Sequence, residues 1–272
     1  MDENIAKEKK RDLTRIINKL GSLLVAFSGG LDSAFLLALA YQILGHKVLA
    51  ATASSVIHPT HEMEDARDFV REKGIHHIIF PSGEMGLPEF VSNDFNRCYH
   101  CKKHMFHCLF KIEKENSIKH VAHGANLDDL KDYRPGFKAA REAGSVAPLI
   151  DANLCKEEIR FLSKDMGLSI WDKRPFTCLA TRIPYGSMIT EKKLNMIDEA
   201  ELFLLEQGFK VVRVRHHGSV ARIETDRQGL ENIMDIEIRN AIVKKFREVG
   251  FDHIAVDLEG YISGKMNRAL VI

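Results

Sequence analysis

The spacing of apolar and polar positions divides the chain into two stretches of different character. From Asn4 to Leu20, the residues Ile5, Leu13, Ile16, Ile17 and Leu20 recur on one side of a helix, and Gly21 ends it. Leu23-Leu24-Val25-Ala26-Phe27 is then a short unbroken apolar run, the pattern of a strand buried on both faces. Further helices are expected over about 33–44, 59–73 and 99–115, and strands over 47–53, 76–80 and 119–123. Strands alternating with helices of this length predict an α/β domain, a doubly wound parallel sheet with helices on both faces, spanning 1–183. Such sheets bind ligands beyond the carboxyl ends of their strands, which directs attention to the loops after Phe27 and His123.

After Ile183 the pattern changes. Thr190 caps a helix that runs to Gln207. Two strand-like stretches, 210–214 and 220–225, flank His216-His217-Gly218-Ser219, a hairpin signal. A helix over 228–249 and a strand over 253–258 complete a smaller α+β domain, 184–272, with a mostly antiparallel sheet and a role in substrate binding or oligomerisation. No internal repeat or low-complexity segment interrupts either part.

Composition narrows the function classes. Among 272 residues the formal net charge is only +1, so no broad electrostatic footprint for nucleic acid is present. The charged N-terminus has no apolar signal-peptide core, and no apolar run approaches the roughly 20 residues that span a bilayer. A cytoplasmic protein without membrane or nucleic-acid partners is expected. Five cysteines, an odd number, argue against a disulfide framework.

Candidate chemistry begins at Ser28-Gly29-Gly30-Leu31-Asp32-Ser33, between a buried strand and a helix. Glycines let the backbone approach a phosphate and turn its N–H groups toward it, and the following helix adds its positive end. Ser28 and Ser33 carry hydroxyl donors for phosphate oxygens. Asp32 beside a polyphosphate has the natural role of holding Mg²⁺. No Gly-Lys-Ser/Thr follows, so this is not a Walker A loop. The cysteines form a second group. Cys98 and Cys101 make a CxxC, which alone fits a redox pair, half a zinc site or two packed thiols. Cys178 lies in a Pro-bounded loop between Arg174 and Arg182, cations that would activate its thiol and hold an anionic substrate. Cys108 and Cys155 sit in apolar helical patterns and read as buried structural thiols.

The Ser-Gly-Gly-x-Asp-Ser loop resembles that of the PP-loop ATP pyrophosphatases, which cleave ATP between the α- and β-phosphates and adenylate a carboxylate or carbonyl oxygen. With the segments Arg97–Lys103, Gly124–Asp129, Asp132–Gly136, Lys173–Arg182 and Val212–Gly218, the chain resembles the LarE family of sulfur transferases over nearly its whole length. The resemblance implies adenylation of a pyridinium-3,5-dicarboxylate mononucleotide, followed by conversion of its carboxylates to thiocarboxylates for the nickel-pincer nucleotide of lactate racemase. Some members sacrifice the sulfur of a cysteine at the position of Cys178. Others hold a [4Fe–4S] cluster on three cysteines, which Cys98, Cys101 and Cys178 match, leaving one iron free to carry sulfide. The resemblance thus implies ATP, Mg²⁺ and a [4Fe–4S] cluster as cofactors, a small nucleotide as substrate, a sulfide or persulfide donor, and a homo-oligomer. A tRNA thiolase also pairs a PP-loop with cysteines and stands as the alternative, as does sulfur donation by Cys178 alone.

Other residues join this scheme. Gly124, Asn126 and Asp128, with Asp129, follow the fourth strand, where nucleotide or Mg²⁺ is reached; their plain alternative is an Asx turn. Arg134 is placed to meet phosphate or pyrophosphate. Arg213 and Arg215 alternate along one strand, so their side chains share a face and suit a nucleotide 5′-phosphate. Glu224 is a partner for Arg222 or a metal, and Glu201 is left between a role and a solvated helix face. The thirteen histidines show no metal-ligand spacing.

Overall fold

The computed structural model describes residues 1–131, 135–173, 177–262 and 265. Arg134 and Arg174 lie outside them. The chain divides into two compact units: Met1–Ser55 with Glu62–Phe90 and Asn96–Phe176, and Val56–His61 with Val91–Phe95 and Thr177–Ile272. Cys178 and Arg182 fall in the second unit.

The first unit runs α1 (Glu3–Leu20), β1 (Leu23–Ala26), α2 (Leu31–Leu44), β2 (Val48–Ser54), α3 (Thr60–Lys73), β3 (His76–Pro81), α4 (Pro88–Val91), α5 (Arg97–Glu115), β4 (Val121–His123), α6 (Pro135–Glu142), α7 (Pro148–Asp151) and α8 (Lys156–Asp165). Its sheet has the order β3-β2-β1-β4, and every pairing is parallel. The apolar run of β1 is buried on both faces, as its pattern requires. Leu23 and Val25 enter a core with α1, α2, α3 and α8, while Leu24 packs on the other side with Phe106 and Leu109 of α5. Helix α2 is buried along nearly its whole first ten residues, which explains why it is apolar all round. Strand order reverses direction between β1 and β4, the switch point of a doubly wound sheet. Helices α4, α6, α7 and α8 were not read from the sequence.

The second unit contains α9 (Glu191–Glu206), β5 (Val212–His217), β6 (Val220–Thr225), α10 (Arg227–Ile233), α11 (Ile236–Val249) and β7 (His253–Val256). The helix expected over 228–249 is broken in two, because the Asp235 carboxylate accepts from the N–H groups of Glu237 and Ile238 and starts a new helix. Strand β5 continues through His217, so only Gly218 and Ser219 form the hairpin turn. The sheet is mixed, not mostly antiparallel: β5 pairs antiparallel with β6, and β6 pairs parallel with β7. Among the described residues no helix is long and apolar enough to cross a membrane.

Candidate active site

The loop after β1 is folded around one hydroxyl. Ser33 Oγ donates to the Gly30 carbonyl at 3.0 Å, accepts from the Ser28 N–H at 3.3 Å and lies 3.1 Å from Ser28 Oγ. Gly29 takes the left-handed conformation at φ 73°. Gly30 is the N-cap of α2 and contributes no side-chain cap, so the first N–H groups of the helix face the loop without a side-chain acceptor from that residue. Helix α2 begins at Leu31, two residues before its expected start, and therefore places Asp32 and Ser33 in its first turn.

The loop after β4 closes on it. A Cβ on Gly124 would stand 2.7 Å from the Ser33 nitrogen and 2.9 Å from Ser33 Cα, so Gly124 is where the two switch-point loops touch backbone to backbone. Beyond it, Asn126 Oδ1 accepts from the Asp128 N–H at 2.9 Å, the Asx turn that its composition allowed. Asp129 Oδ2 accepts from the Asn126 N–H, and Asp128 Oδ2 from the Lys156 N–H at the start of α8.

Lys156 is the residue that sequence reasoning missed. Its Nζ lies 2.6 Å from Asp32 Oδ2, while Asp32 Oδ1 is buried without a hydrogen-bond partner. Burial raises the Asp32 pKa above the ordinary carboxylate value; Lys156 opposes the shift, Asp129 adds to it, and the nearby Asn126 opposes it. An orphaned carboxylate oxygen beside an uncapped helix start and further acidic groups suits Mg²⁺, a hard cation taking oxygen ligands. No sequence signal pointed to Lys156, because its helix, whose first residue it is, was not among the expected elements. Lys173 is a second omission. It is held by Glu62 and Asp65 of α3 at 2.6 and 2.8 Å, next to the residues that pack on Gly29.

Cys98 and Cys101 stand one turn apart at the start of α5, both half-buried. Cys178 is half-buried in the second unit. Thiolates of this kind suit an iron–sulfur cluster by their chemistry. Among the described residues, no group of three or more His, Cys, Asp or Glu side chains is arranged to hold a metal ion. Cys108 is half-buried beside the α5 core, and burial pushes its thiol pKa up. Cys155 differs from expectation: it is the N-cap of α8 and not an interior helical residue.

The second unit gathers a different set. Arg182, expected to activate the Cys178 thiol and hold an anion, is enclosed at 1% exposure and faces Glu201 through two bonds of 2.9 Å. Its Nη1 donates to the carbonyls of Thr177 and Cys178, at 2.7 and 3.0 Å. Arg182 therefore acts on the backbone of the cysteine loop. Glu201 is no solvated residue: it is 3% exposed and also accepts from the Val214 N–H. Burial pushes its carboxyl up, but Arg182 outweighs it and holds the pKa below the ordinary range.

Arg213 and Arg215 share the face opposite Val212 and Val214, as their alternation requires. Arg215 is tied to Glu224 at 2.7 Å and donates to the Thr181 carbonyl, which leaves it less available to a phosphate than expected. Glu224, fully buried, also takes Arg222 at 3.0 Å. Arg213 lies over the Tyr261 ring at 5.2 Å. Burial lowers its pKa, Arg182 adds to the shift, and Glu201 opposes it.

No family model matches the chain. It is 38% identical to an uncharacterized protein of Synechocystis over 264 residues, 97% of this chain and 98% of the relative. It is 32% identical to the pyridinium-3,5-bisthiocarboxylic acid mononucleotide synthase of Lactiplantibacillus plantarum over 263 residues, 96% of this chain and 95% of that enzyme.

The chain belongs to the LarE family.

As a LarE-family member it is an ATP-dependent sulfur transferase on a PP-loop fold. The superfamily likeness extends to one component of the glutamine-hydrolyzing GMP synthase of Sulfurisphaera tokodaii, 25% identical over 65% of this chain and 52% of that protein. In this LarE-type chain the first unit brings together Ser28, Gly29, Gly30, Asp32, Ser33, Gly124, Asn126 and Asp128. The second brings together the Cys178 loop, Arg182, Glu201, Arg213, Arg215 and Glu224.

Proposed function

We propose that the enzyme adenylates the carboxylates of a pyridinium-3,5-dicarboxylate mononucleotide and converts them to thiocarboxylates. The observation that carries this reading is the buried, unpartnered Asp32 Oδ1 at the switch-point loop, in a chain 32% identical to a named synthase of that product type. Phosphates of ATP lie on the backbone from Ser28 to Ser33, at the start of α2, and Asp32 would hold the Mg²⁺ that accompanies them. A substrate carboxylate oxygen attacks the α-phosphorus; the bond to the bridging oxygen breaks and pyrophosphate leaves. Backbone donors neutralise the charge that builds on the leaving group, and Mg²⁺ would add to that neutralisation.

The guanidinium of Arg213, with Arg215 on the same strand face, takes the 5′-phosphate of the substrate mononucleotide. Arg182 and Glu201 keep the Cys178 loop in place beside this face. A sulfur nucleophile then attacks the acyl carbon and AMP departs with the electron pair of the C–O bond. Cys98, Cys101 and Cys178 would hold a [4Fe–4S] cluster, which would supply sulfur at the sulfide level, with free sulfide replacing what is transferred.

Anaerobically purified protein incubated with ATP, Mg²⁺ and the dicarboxylate mononucleotide is expected to release pyrophosphate and yield a product carrying sulfur in place of oxygen. Iron and acid-labile sulfide should co-purify and fall in Cys98→Ala. Mass analysis that finds dehydroalanine at Cys178, with no iron, would return the sulfur source to that residue alone. Pyrophosphate release with tRNA in place of the mononucleotide would replace the substrate.

A further inference from the structure

Lys156 has a place that its own helix does not favour. It stands at the first position of α8, where the helix dipole repels a cation, with its ammonium on Asp32 Oδ2 at 2.6 Å. Three contacts fix it there. The Lys156 N–H is held by Asp128 Oδ2, the Cys155 N–H by Glu158 Oε2, and Glu158 Oε1 by Lys9 of α1 at 2.6 Å. The start of α8 is thus tied both to the loop after β4 and to α1. Both members of the Lys156–Asp32 pair are largely enclosed, at 31% and 22% exposure. A buried carboxylate without a counter-charge is costly, and one with two competing cations is repulsive.

We propose that Lys156 is a placeholder for the metal: it neutralises Asp32 in the nucleotide-free enzyme and passes its ammonium to a phosphate oxygen when the metal–nucleotide arrives. One Asp32 oxygen is taken by the Lys156 ammonium and the other is buried without a hydrogen-bond partner. A divalent cation alone has to displace the ammonium without offering it another anion. A metal carried by a polyphosphate brings that anion with it, and the ammonium is long and flexible enough to change partners. Asp32 therefore discriminates metal–nucleotide from free metal, and Lys156 becomes a positioning cation for the phosphates. This deepens the proposed function but rests only on its nucleotide half.

The test uses Mn²⁺ as the probe, followed by its free-ion paramagnetic resonance signal, on nucleotide-free full-length protein. Lys156→Gln is expected to bind Mn²⁺ at least tenfold more tightly than wild type, and the gain should vanish in Lys156→Gln/Asp32→Asn. Lys156→Arg, which keeps the charge, should leave Mn²⁺ binding weak. With Mn²⁺–ATP the order reverses, and Lys156→Gln binds more weakly than wild type. A merely structural lysine cannot raise affinity for one ligand and lower it for the other. Equal Mn²⁺ binding in wild type and Lys156→Gln, or a gain that survives Asp32→Asn, overturns the proposal. Failure of the dicarboxylate to release pyrophosphate, with the Mn²⁺ result intact, would count against the substrate and not against Lys156.

Discussion

The loop after β1 and the arginine face of the second unit handle charge in opposite ways. The loop is built from six consecutive residues, presents mainly backbone groups, and leaves one carboxylate oxygen without a partner. The arginine face draws Arg182, Glu201, Arg213, Arg215 and Glu224 from four separate segments and pairs the most deeply buried charges with each other. Backbone recognition separates binding from stability, because the loop is shaped by hydroxyl bonds and glycine conformation. Recognition by buried side-chain charges ties the two together. Glu201→Ala should expose that link most sharply. It leaves Arg182 enclosed without its carboxylate, a loss on the order of 3–5 kcal/mol, and it frees the Cys178 loop. Chemical denaturation should show the destabilisation, and Glu201→Gln, which keeps one acceptor, should recover part of it. An unchanged midpoint for Glu201→Ala would erase the contrast between the regions.

The matching change in the loop should spare the fold and remove the chemistry. Asp32→Asn relieves a carboxylate whose pKa burial already raises, so thermal unfolding should move little. Pyrophosphate release should fall by about 10²-fold or more, the scale for losing one electrostatic stabiliser of a developing charge. A large drop in stability without loss of turnover would reverse the assignment of the two regions.

Between these lies a pH effect seated in the first unit. His123, at the end of β4, packs edge-on between Phe106 and Phe137, and its Nδ1 accepts from the Ala125 N–H. Burial, aided by Lys102, lowers its pKa to about 4 from an ordinary value of 6.5. The unfolded chain therefore takes up the proton first as pH falls. The stability that neutral His123 contributes is complete above about pH 6.5 and is lost progressively toward pH 4. Between pH 6.5 and pH 5 that amounts to about 2 kcal/mol. Urea unfolding at several pH values should show this slope in the wild type and a flatter one in His123→Gln.

What the sequence made legible follows the same division. The Ser28–Ser33 loop could be read directly because its chemistry is contiguous and its flanking strand and helix have clear periods. Even Asp32 was identified there, although its partner was not. Lys156 lies 124 residues away, on a helix whose start carried no recognised cap, and only packing brings the two together. In the second unit, alternation placed Arg213 and Arg215 on one face, but pattern could not show that Glu224 would claim Arg215. Nor could it show Glu201 as buried, since a glutamate on a helix reads as solvated until its partner is known. The mixed sheet was missed because a strand pattern carries no direction, and only the register of β6 against β7 shows the two to be parallel.

The smallest expected effect tests whether the loop's shape is intrinsic to glycine. Gly29 lies at φ 73°, and an added Cβ would meet Ala66 Cβ at 3.0 Å and the Glu62 carbonyl at 3.3 Å. Gly29→Ala should therefore cost about 1–2 kcal/mol for the left-handed backbone, with a further share if α3 cannot yield. Gly30 has an ordinary extended conformation, and its added Cβ would approach only Ser28 Oγ, at 3.4 Å. Gly30→Ala should unfold nearer the wild-type temperature than Gly29→Ala, yet lose nucleotide affinity if phosphate lies against that backbone. Melting curves with and without ATP–Mg²⁺ separate the two costs. Equal destabilisation by both alanines would mean that the loop is shaped by Ser33 and its hydroxyl bonds alone, and that the conformation of Gly29 is not what holds it open.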